Sequence, residues 1–232
     1  MMSEVVIIGA SGHGKVVADC VLKSGDFIRG FLDDYPSIGT LFVGFPILGS
    51  VDNYKKYTKD CKFIIAIGDS FVRERIVKKL DSVSWYTAIH PSAVISEIGV
   101  SIGDGSVVLA NSVVNSNAKI GRHCIVNSGS IIEHDDFIGD FSHVSVGSCV
   151  AGTVNVGKHV WIGAGATVIN NISICNDCMI GAGAVVVENI NESGTYVGVP
   201  ARLVKSFNLT KGGLSRKVQC DLYAQSSMRR IA

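Results

Sequence analysis

From Ile102 to Val186 a β-branched aliphatic residue stands at every sixth position, fifteen times without a break: Ile102, Val108, Val114, Ile120, Val126, Ile132 and onward in the same step. Four residues after most of these positions the side chain is small, as at Ser106, Ser112, Ala118, Cys124, Ser130, Ser142, Ser148, Ala166, Cys178 and Ala184, which lets a tight corner close. Glycine directly follows the aliphatic residue at 103, 121, 139, 157 and 181, laying an 18-residue period over the six-residue one. Three six-residue sides per turn make a triangular prism. A hexapeptide period of this kind denotes a parallel β-helix, in which each coil buries its aliphatic residues against the coils above and below. The span 102–186 supplies about five coils. Flat prism sides favour pairing with copies of themselves around a threefold axis, so a homotrimer is expected.

The pattern before this ladder is different. Residues 5–10, VVIIGA, read as a buried strand that runs through SGHGK into a segment with helical apolar spacing. FIRGFLDD at 27–34 and FIIAIGDS at 63–70 read as two further strands, the second followed by the basic amphipathic stretch FVRERIVKKL. Residues 1–85 are therefore expected to form a small Rossmann-like α/β domain with a mostly parallel sheet, 86–205 the β-helix, and 206–232 a tail of unassigned role.

Composition narrows the function classes. With 47% hydrophobic and 18% charged residues and a net charge of +1, the chain carries neither a nucleic-acid footprint nor a polybasic membrane surface. The opening MMSEVVIIGA is too briefly apolar to span a bilayer and has no basic leader, so a cytoplasmic location without membrane insertion is expected. Seven scattered cysteines without a secretory signal are expected as free thiols. The lone CxxC of Cys175 and Cys178 has no second pair or nearby histidine, so no metal site is expected.

Two regions could carry chemistry. GASGHGK fits the phosphate-loop spacing from Gly9 to Lys15, but Val16 stands where Ser or Thr should meet magnesium, and the glycines at 9, 12 and 14 miss the dinucleotide pattern. A glycine turn opening a helix still presents free N–H groups to a phosphate, with a plain tight turn as the alternative. His13 and Lys15 could donate to that phosphate, while Asp33, Asp34 and Asp69 stand at strand ends on the same sheet edge. The second region is 131–147, where Glu133, His134, Asp135, Asp136, Asp140 and His143 interrupt small and aliphatic sides. His134 beside Asp135 suits a general base whose tautomer a carboxylate fixes, and equally suits a surface histidine on a coil corner. His143 lies nine residues on, half a coil, so it projects from a different side and could meet His134 only across a subunit interface.

Several of these segments, taken in order, resemble the NeuD-like sugar O-/N-acetyltransferases, proteins with a left-handed parallel β-helix of hexapeptide repeats. The carriers are VVIIGASGHGKVVAD, GFLDD, IAIGD followed by Arg73, HPSAVIS, IEHDDFIGDFSHVSVG, IGAGATVI, IGAGAVV and GVPARLVK, spanning residue 4 to about 205. The resemblance implies an acetyl-CoA-dependent N-acetyltransferase acting on the 4-amino group of a UDP-, GDP- or dTDP-linked deoxyamino sugar in bacterial surface glycan biosynthesis. It implies His134 as general base, Asp135 as the carboxylate raising its basicity, and His143 near the thioester of acetyl-CoA. Ala164 and Ala182 match the pantetheine groove, and Ser11, Gly12, His13, Asp33, Asp34 and Gly68 match contacts to the sugar nucleotide. Direct attack without an acyl-enzyme and without a metal would follow.

Three other readings compete. O-acetylation of sialic acid would use the same motifs on a hydroxyl acceptor. A sugar-nucleotide-binding scaffold without catalysis is disfavoured by the intact His134–Asp135 pair. A phosphate-loop NTPase is disfavoured by Val16.

Overall fold

The computed structural model describes residues 2–35 and 39–206; of the expected tail only Ser206 falls inside that range. The first unit holds β1 (Glu4–Ile8), α1 (Gly12–Lys23), β2 (Phe27–Leu32), β3 (Leu41–Phe42), β4 (Phe45–Gly49), a 3-10 turn at Val51–Lys56, β5 (Lys62–Ile65), α2 (Ser70–Lys79) and β6 (Ser84–Trp85). The sheet order is β3-β4-β2-β1-β5-β6, parallel except where β3 meets β4. Because β1 sits between β2 and β5, all three strands end at one edge, the place where open α/β sheets receive ligands. The hairpin of β3 and β4 leaves little pattern in the sequence, since its strands are short and broken by Gly39, Gly44 and Pro46.

The continuous apolar run of β1 is buried on both sides, as a central parallel strand must be. Val5 and Ile7 face Val17, Ala18 and Val21 of α1, while Val6 and Ile8 face Ile76 and Leu80 beside α2. Gly14 lets α1 lie close on the preceding turn, since a Cβ there would sit 2.4 Å from the Gly9 carbonyl oxygen.

The repeat forms three parallel sheets, one on each side of a prism. The first face runs through the strands beginning at Ala88, Val107, Ile125, His143, Trp161 and Met179, the second through Val94, Val113, Ile131, Cys149, Thr167 and Val185, and the third through Ser101, Lys119, Phe137, Asn155 and Ser173. The ladder residue is the second of each two-residue strand and points inward, so that from Val108 to Val186 every one is at most 3% exposed. Each such burial stabilises the fold by about 1.5–3 kcal/mol. The small residues four positions later also point inward and close the corners.

The helix is longer than the unbroken ladder. Ile89 and Ile95 pair with Val108 and Val114, but 19 residues separate each pair where later coils have 18. One extra residue before Ile102 shifts the register and hides this first coil from a six-residue reading. At the other end Met179 and Ile180 pair with Thr195 and Tyr196 of a closing hairpin, Gly194–Val197 with Arg202–Ser206.

The three outer surfaces differ. On the first face Ala88, Val107 and Ile125 are buried, the first two in one cluster with α1. The third face is polar outside but for Phe137. The second shows an apolar outward row, Val94, Val113, Ile131, Cys149 and Val185, with Val94 63% exposed.

Candidate active site

His134 stands on the corner between the second and third faces. The repeat puts a residue in left-handed conformation at this corner in every coil, at Asn117, Asp135, Thr153 and Asn171, so the positive φ of Asp135 belongs to the fold and not to chemistry. Asp135 Oδ2 lies 2.9 Å from His134 Nδ1, while its Oδ1 accepts from Asn117 Nδ2 at 3.2 Å. That hydrogen bond to Asp135 is the main force raising the His134 pKa above the usual imidazole value, and the same contact lowers that of Asp135. With Nδ1–H committed to Asp135, Nε2 of the neutral ring is left as the acceptor of a proton.

The coils on either side complete the corner. Asn115, one coil earlier, donates to Glu133 Oε1 at 2.8 Å, and Glu133 Oε2 accepts the His134 backbone N–H at 3.2 Å. Gly152, one coil later, is bare because a Cβ there would sit 2.6 Å from His134 Nε2. Asn115, Asn117 and Gly152 were not singled out in the sequence. Their signal is the 18-residue offset from Glu133, Asp135 and His134.

His143 opens its strand on the first face and is 8% exposed. Burial, then the charge of Arg73, then His13 push its pKa down to about 3, so the ring is neutral at physiological pH. Asn127 Nδ2 lies 3.1 Å from its Nε2, Trp161 stacks on the ring at 5.1 Å, and its buried Nδ1 meets no hydrogen-bond partner among the described residues. A neutral imidazole whose Nε2 accepts from Asn127 carries its proton on Nδ1, inside the protein. Within one chain His134 and His143 occupy different faces, as their half-coil spacing predicts. Ala164 and Ala182 are exposed on the corner between the first and second faces, joined through Gly183 N–H to the Ala164 carbonyl at 2.9 Å.

The turn region converges on the sheet edge. Ser11 is the residue preceding α1, and its side chain makes no capping bond to the helix. Gly12 is exposed in the first turn of α1, and Lys15 has its Nζ 5.8 Å from the Phe42 ring centre. His13 is held neutral, its pKa lowered to about 4 by burial and by Arg73, and its Nε2 is buried without a hydrogen-bond partner among the described residues. Asp33 accepts from Ala10 N–H at 2.7 Å and Tyr35 N–H at 2.8 Å, and Asp34 from Val51 N–H at 2.8 Å, so both carboxylates also hold loops. Asp33, Asp34, Ile8, Leu32, Val51, Val72, Arg75 and Lys79 are among the residues lining a cavity of about 310 Å³.

Asp69 caps α2, accepting from Phe71 and Val72 N–H, both at 2.9 Å. Asp69→Ala should lower stability by about 1 kcal/mol in urea unfolding; an unchanged midpoint would show that the cap contributes nothing.

Arg73, part of the family-like motif but given no role from sequence, is 1% exposed and reaches across from α2 to the prism. It donates to the carbonyls of Ile67 (3.1 Å) and Gly68 (2.7 Å), of His123 (3.0 Å), and of Phe141 and Ser142. Around it a column of rings runs Trp85, His123, Phe141, His159 and Phe71, with centres 4.3 to 5.4 Å apart. His123, Phe141 and His159 are 18 residues apart on one corner. Among the described residues no cluster suited to a metal ion occurs, and no helix is long and apolar enough to cross a membrane.

Comparison with known proteins adds independent observations. The family described as PglD N-terminal domain matches residues 4–80, that described as bacterial transferase hexapeptide (six repeats) matches 99–134, and the hexapeptide repeat of succinyl-transferase matches 153–188. The acetyltransferase domain of PglB from Neisseria gonorrhoeae FA1090, in complex with acetyl coenzyme A, is 31% identical, with 88% of this chain and 100% of that one covered and a TM-score of 0.82. A mutant perosamine N-acetyltransferase from Caulobacter crescentus, in complex with CoA and GDP-perosamine, is 33% identical, with 88% and 97% covered and a TM-score of 0.81. UDP-N-acetylbacillosamine N-acetyltransferase of Bacillus subtilis (strain 168) is 34% identical over 116 residues, 47% of this chain and 52% of that protein. The chain thus matches about half the length of that curated relative, and 23% of an uncharacterized mimivirus protein.

Proposed function

The chain belongs to the PglD-like hexapeptide-repeat acetyltransferases, and from that membership we propose that it transfers the acetyl group of acetyl-CoA to the 4-amino group of a nucleotide-linked deoxyamino sugar. The observation that carries this reading is the His134–Asp135 pair, exposed on a coil corner and poised to accept a proton through Nε2. The names of the relatives support the substrate class: CoA and GDP-perosamine in one, UDP-N-acetylbacillosamine in another.

Acetyl-CoA supplies the acetyl group as an activated thioester. His134 takes the proton that the sugar amine loses as its nitrogen bonds the acetyl carbon and the thiolate departs. Asp135 holds the imidazole in the tautomer that leaves Nε2 free. His143 is the neutral ring at the thioester end of the cofactor, and Ala164 and Ala182 supply backbone along the pantetheine. Ser11, Gly12, His13, Lys15 and Gly68 face the pyrophosphate and sugar. The nucleoside fits the cavity beside Asp33 and Asp34.

The assembly we propose is a homotrimer. The first face is covered by the α/β domain and the third is polar, so the apolar row on the second face is the surface left to bury. Packing it against a neighbour brings the His134 corner, which bounds that face, beside the neighbour's His143 and glycine turn. The site would then be shared between subunits.

The deciding experiment measures thiol release from acetyl-CoA with UDP-, GDP- and dTDP-linked 4-amino sugars beside free and CMP-linked sialic acid. Release with an amino sugar alone is the expected result. Release with sialic acid alone would move the protein to hydroxyl acceptors, and release with neither would leave a binding scaffold.

A further inference from the structure

The inward corner positions four residues after each ladder residue are neutral in every coil but one. They hold Ser106, Ser112, Ala118, Cys124, Ser130, Ser142, Ser148, Val154, Val160, Ala166, Ile172, Cys178, Ala184 and Ile190, whereas the corner beneath His134 holds Asp136, 1% exposed inside the prism. A carboxyl in that place is costly to keep, so its contacts matter. Asp136 Oδ2 accepts the Glu133 N–H at 3.0 Å, an amide shared with the Val150 carbonyl at 3.1 Å, and Oδ1 accepts the Val154 N–H at 2.7 Å. The first of these opens the turn that carries His134 and Asp135, and the second belongs to the next coil, two residues beyond the Gly152 that the imidazole lies against.

We propose that Asp136, in its ionised form, is the positioning residue of the catalytic corner, fixing the Glu133–Asp135 turn to the following coil so that the His134 ring sits over Gly152. This rests on His134 being the base. A carboxylate accepts at both oxygens with its full charge, whereas protonation turns one oxygen into a hydroxyl, a weaker acceptor whose proton needs a partner of its own, and so loosens one of the two ties. Serines at equivalent corners show how a neutral residue behaves: Ser142 Oγ accepts from Val160 N–H of the next coil at 3.1 Å, while Ser130 Oγ donates to the Asn127 carbonyl three residues before it at 2.7 Å. Each of these hydroxyls makes one of the two ties, to the next coil or to the residue three places before it, where Asp136 makes both.

The groups facing Asp136 are Glu133 and His134 on its own turn and Cys149 on the following coil, whose thiol is raised by burial and then by Glu133 and Asp136. The preceding coil contributes neutral Asn115 and Asn117 to the same corner. Burial pushes the Asp136 pKa up to about 7, against the pull of its two amide bonds. A catalytic corner that needs both a neutral His134 and an ionised Asp136 loses activity with two protons as pH falls.

The test is the pH profile of kcat for wild type, Asp136→Asn and Asp136→Ser, with His134→Asn alongside, on the 4-amino sugar that supports thiol release. Asp136→Ser should lower kcat about tenfold or more, as expected of a sub-ångström to ångström misplacement, with KM for acetyl-CoA within about twofold. Its acid limb should fall with one proton where wild type falls with two. Asp136→Asn, which keeps one accepting oxygen, should lie between and share the one-proton limb. Wild-type kcat and an unchanged limb in both variants would overturn the proposal. Loss of turnover in His134→Asn with unaffected Asp136 variants removes only the role of Asp136, whereas full turnover in His134→Asn removes the base itself. Should the variants not fold, the wild-type amide shifts of Glu133 and Val154 decide: they should move together through one transition near neutrality, and flat shifts would overturn the proposal.

Discussion

His134→Ala lowers turnover by roughly 10²–10⁴-fold while leaving the fold and assembly intact, the loss expected when a positioned general base is removed. The side chain is 59% exposed, so its truncation opens no core cavity, and among the described residues its hydrogen-bonded side-chain partner is Asp135. The pH dependence has a definite sign. A base works in its neutral form, and Asp135 raises the pKa of His134, so activity falls as pH drops through a value above that of an ordinary histidine. Asp135→Asn removes the main cause of that rise, moving the limb to lower pH and reducing kcat, because the ring loses the partner that holds its tautomer. Thiol release measured across pH checks both. Turnover within a factor of two of wild type in His134→Ala would remove it from the chemistry.

Arg73→Met destabilises the protein by about 1–3 kcal/mol for each buried carbonyl it leaves without a donor. The guanidinium bonds carbonyls from the strand-end loop at Ile67 and Gly68 and from two prism corners at His123 and Phe141, so its loss leaves buried acceptors unpaired on both sides of the domain junction. Although burial lowers its pKa to about 10, it remains a cation at neutrality. Arg73→Lys should recover little, since an ammonium cannot span acceptors spread over a planar fork. Equilibrium unfolding in urea measures the loss, and a change below 1 kcal/mol would show that the aromatic column alone holds the junction. Because the same side chain holds Gly68, sugar-nucleotide affinity should fall in Arg73→Met even under conditions where it stays folded.

Much of the candidate site was legible along the chain. His134 and Asp135 are neighbours in sequence, so their contact needs no long-range knowledge, and the glycine turn precedes a helix whose periodicity is plain. Asn115, Asn117, Gly152 and Trp161 were not legible in the same way. Each acts across 16 to 18 residues, through the stacking of one coil on the next, and a reader must already hold the register to find them. Arg73 is harder still: an arginine in a basic amphipathic helix reads as a solvated side chain, and only the packing of α2 against a prism corner buries it.

What the sequence determined by itself was periodicity. Six-residue steps of β-branched side chains leave one economical way to bury them, and strand, turn and helix alternation before residue 85 leaves few ways to build a sheet. What only the tertiary structure decided was which corner each polar residue occupies and what lies over it. A one-residue slip before Ile102 conceals a coil, and an aspartate among fourteen neutral corners looks, in sequence, like one more polar residue beside a histidine. The difference is environment. Solvation and hydrogen-bond partners depend on neighbours brought together by stacking, so the charge state and work of Asp136, His143 and Arg73 are properties of the folded coil.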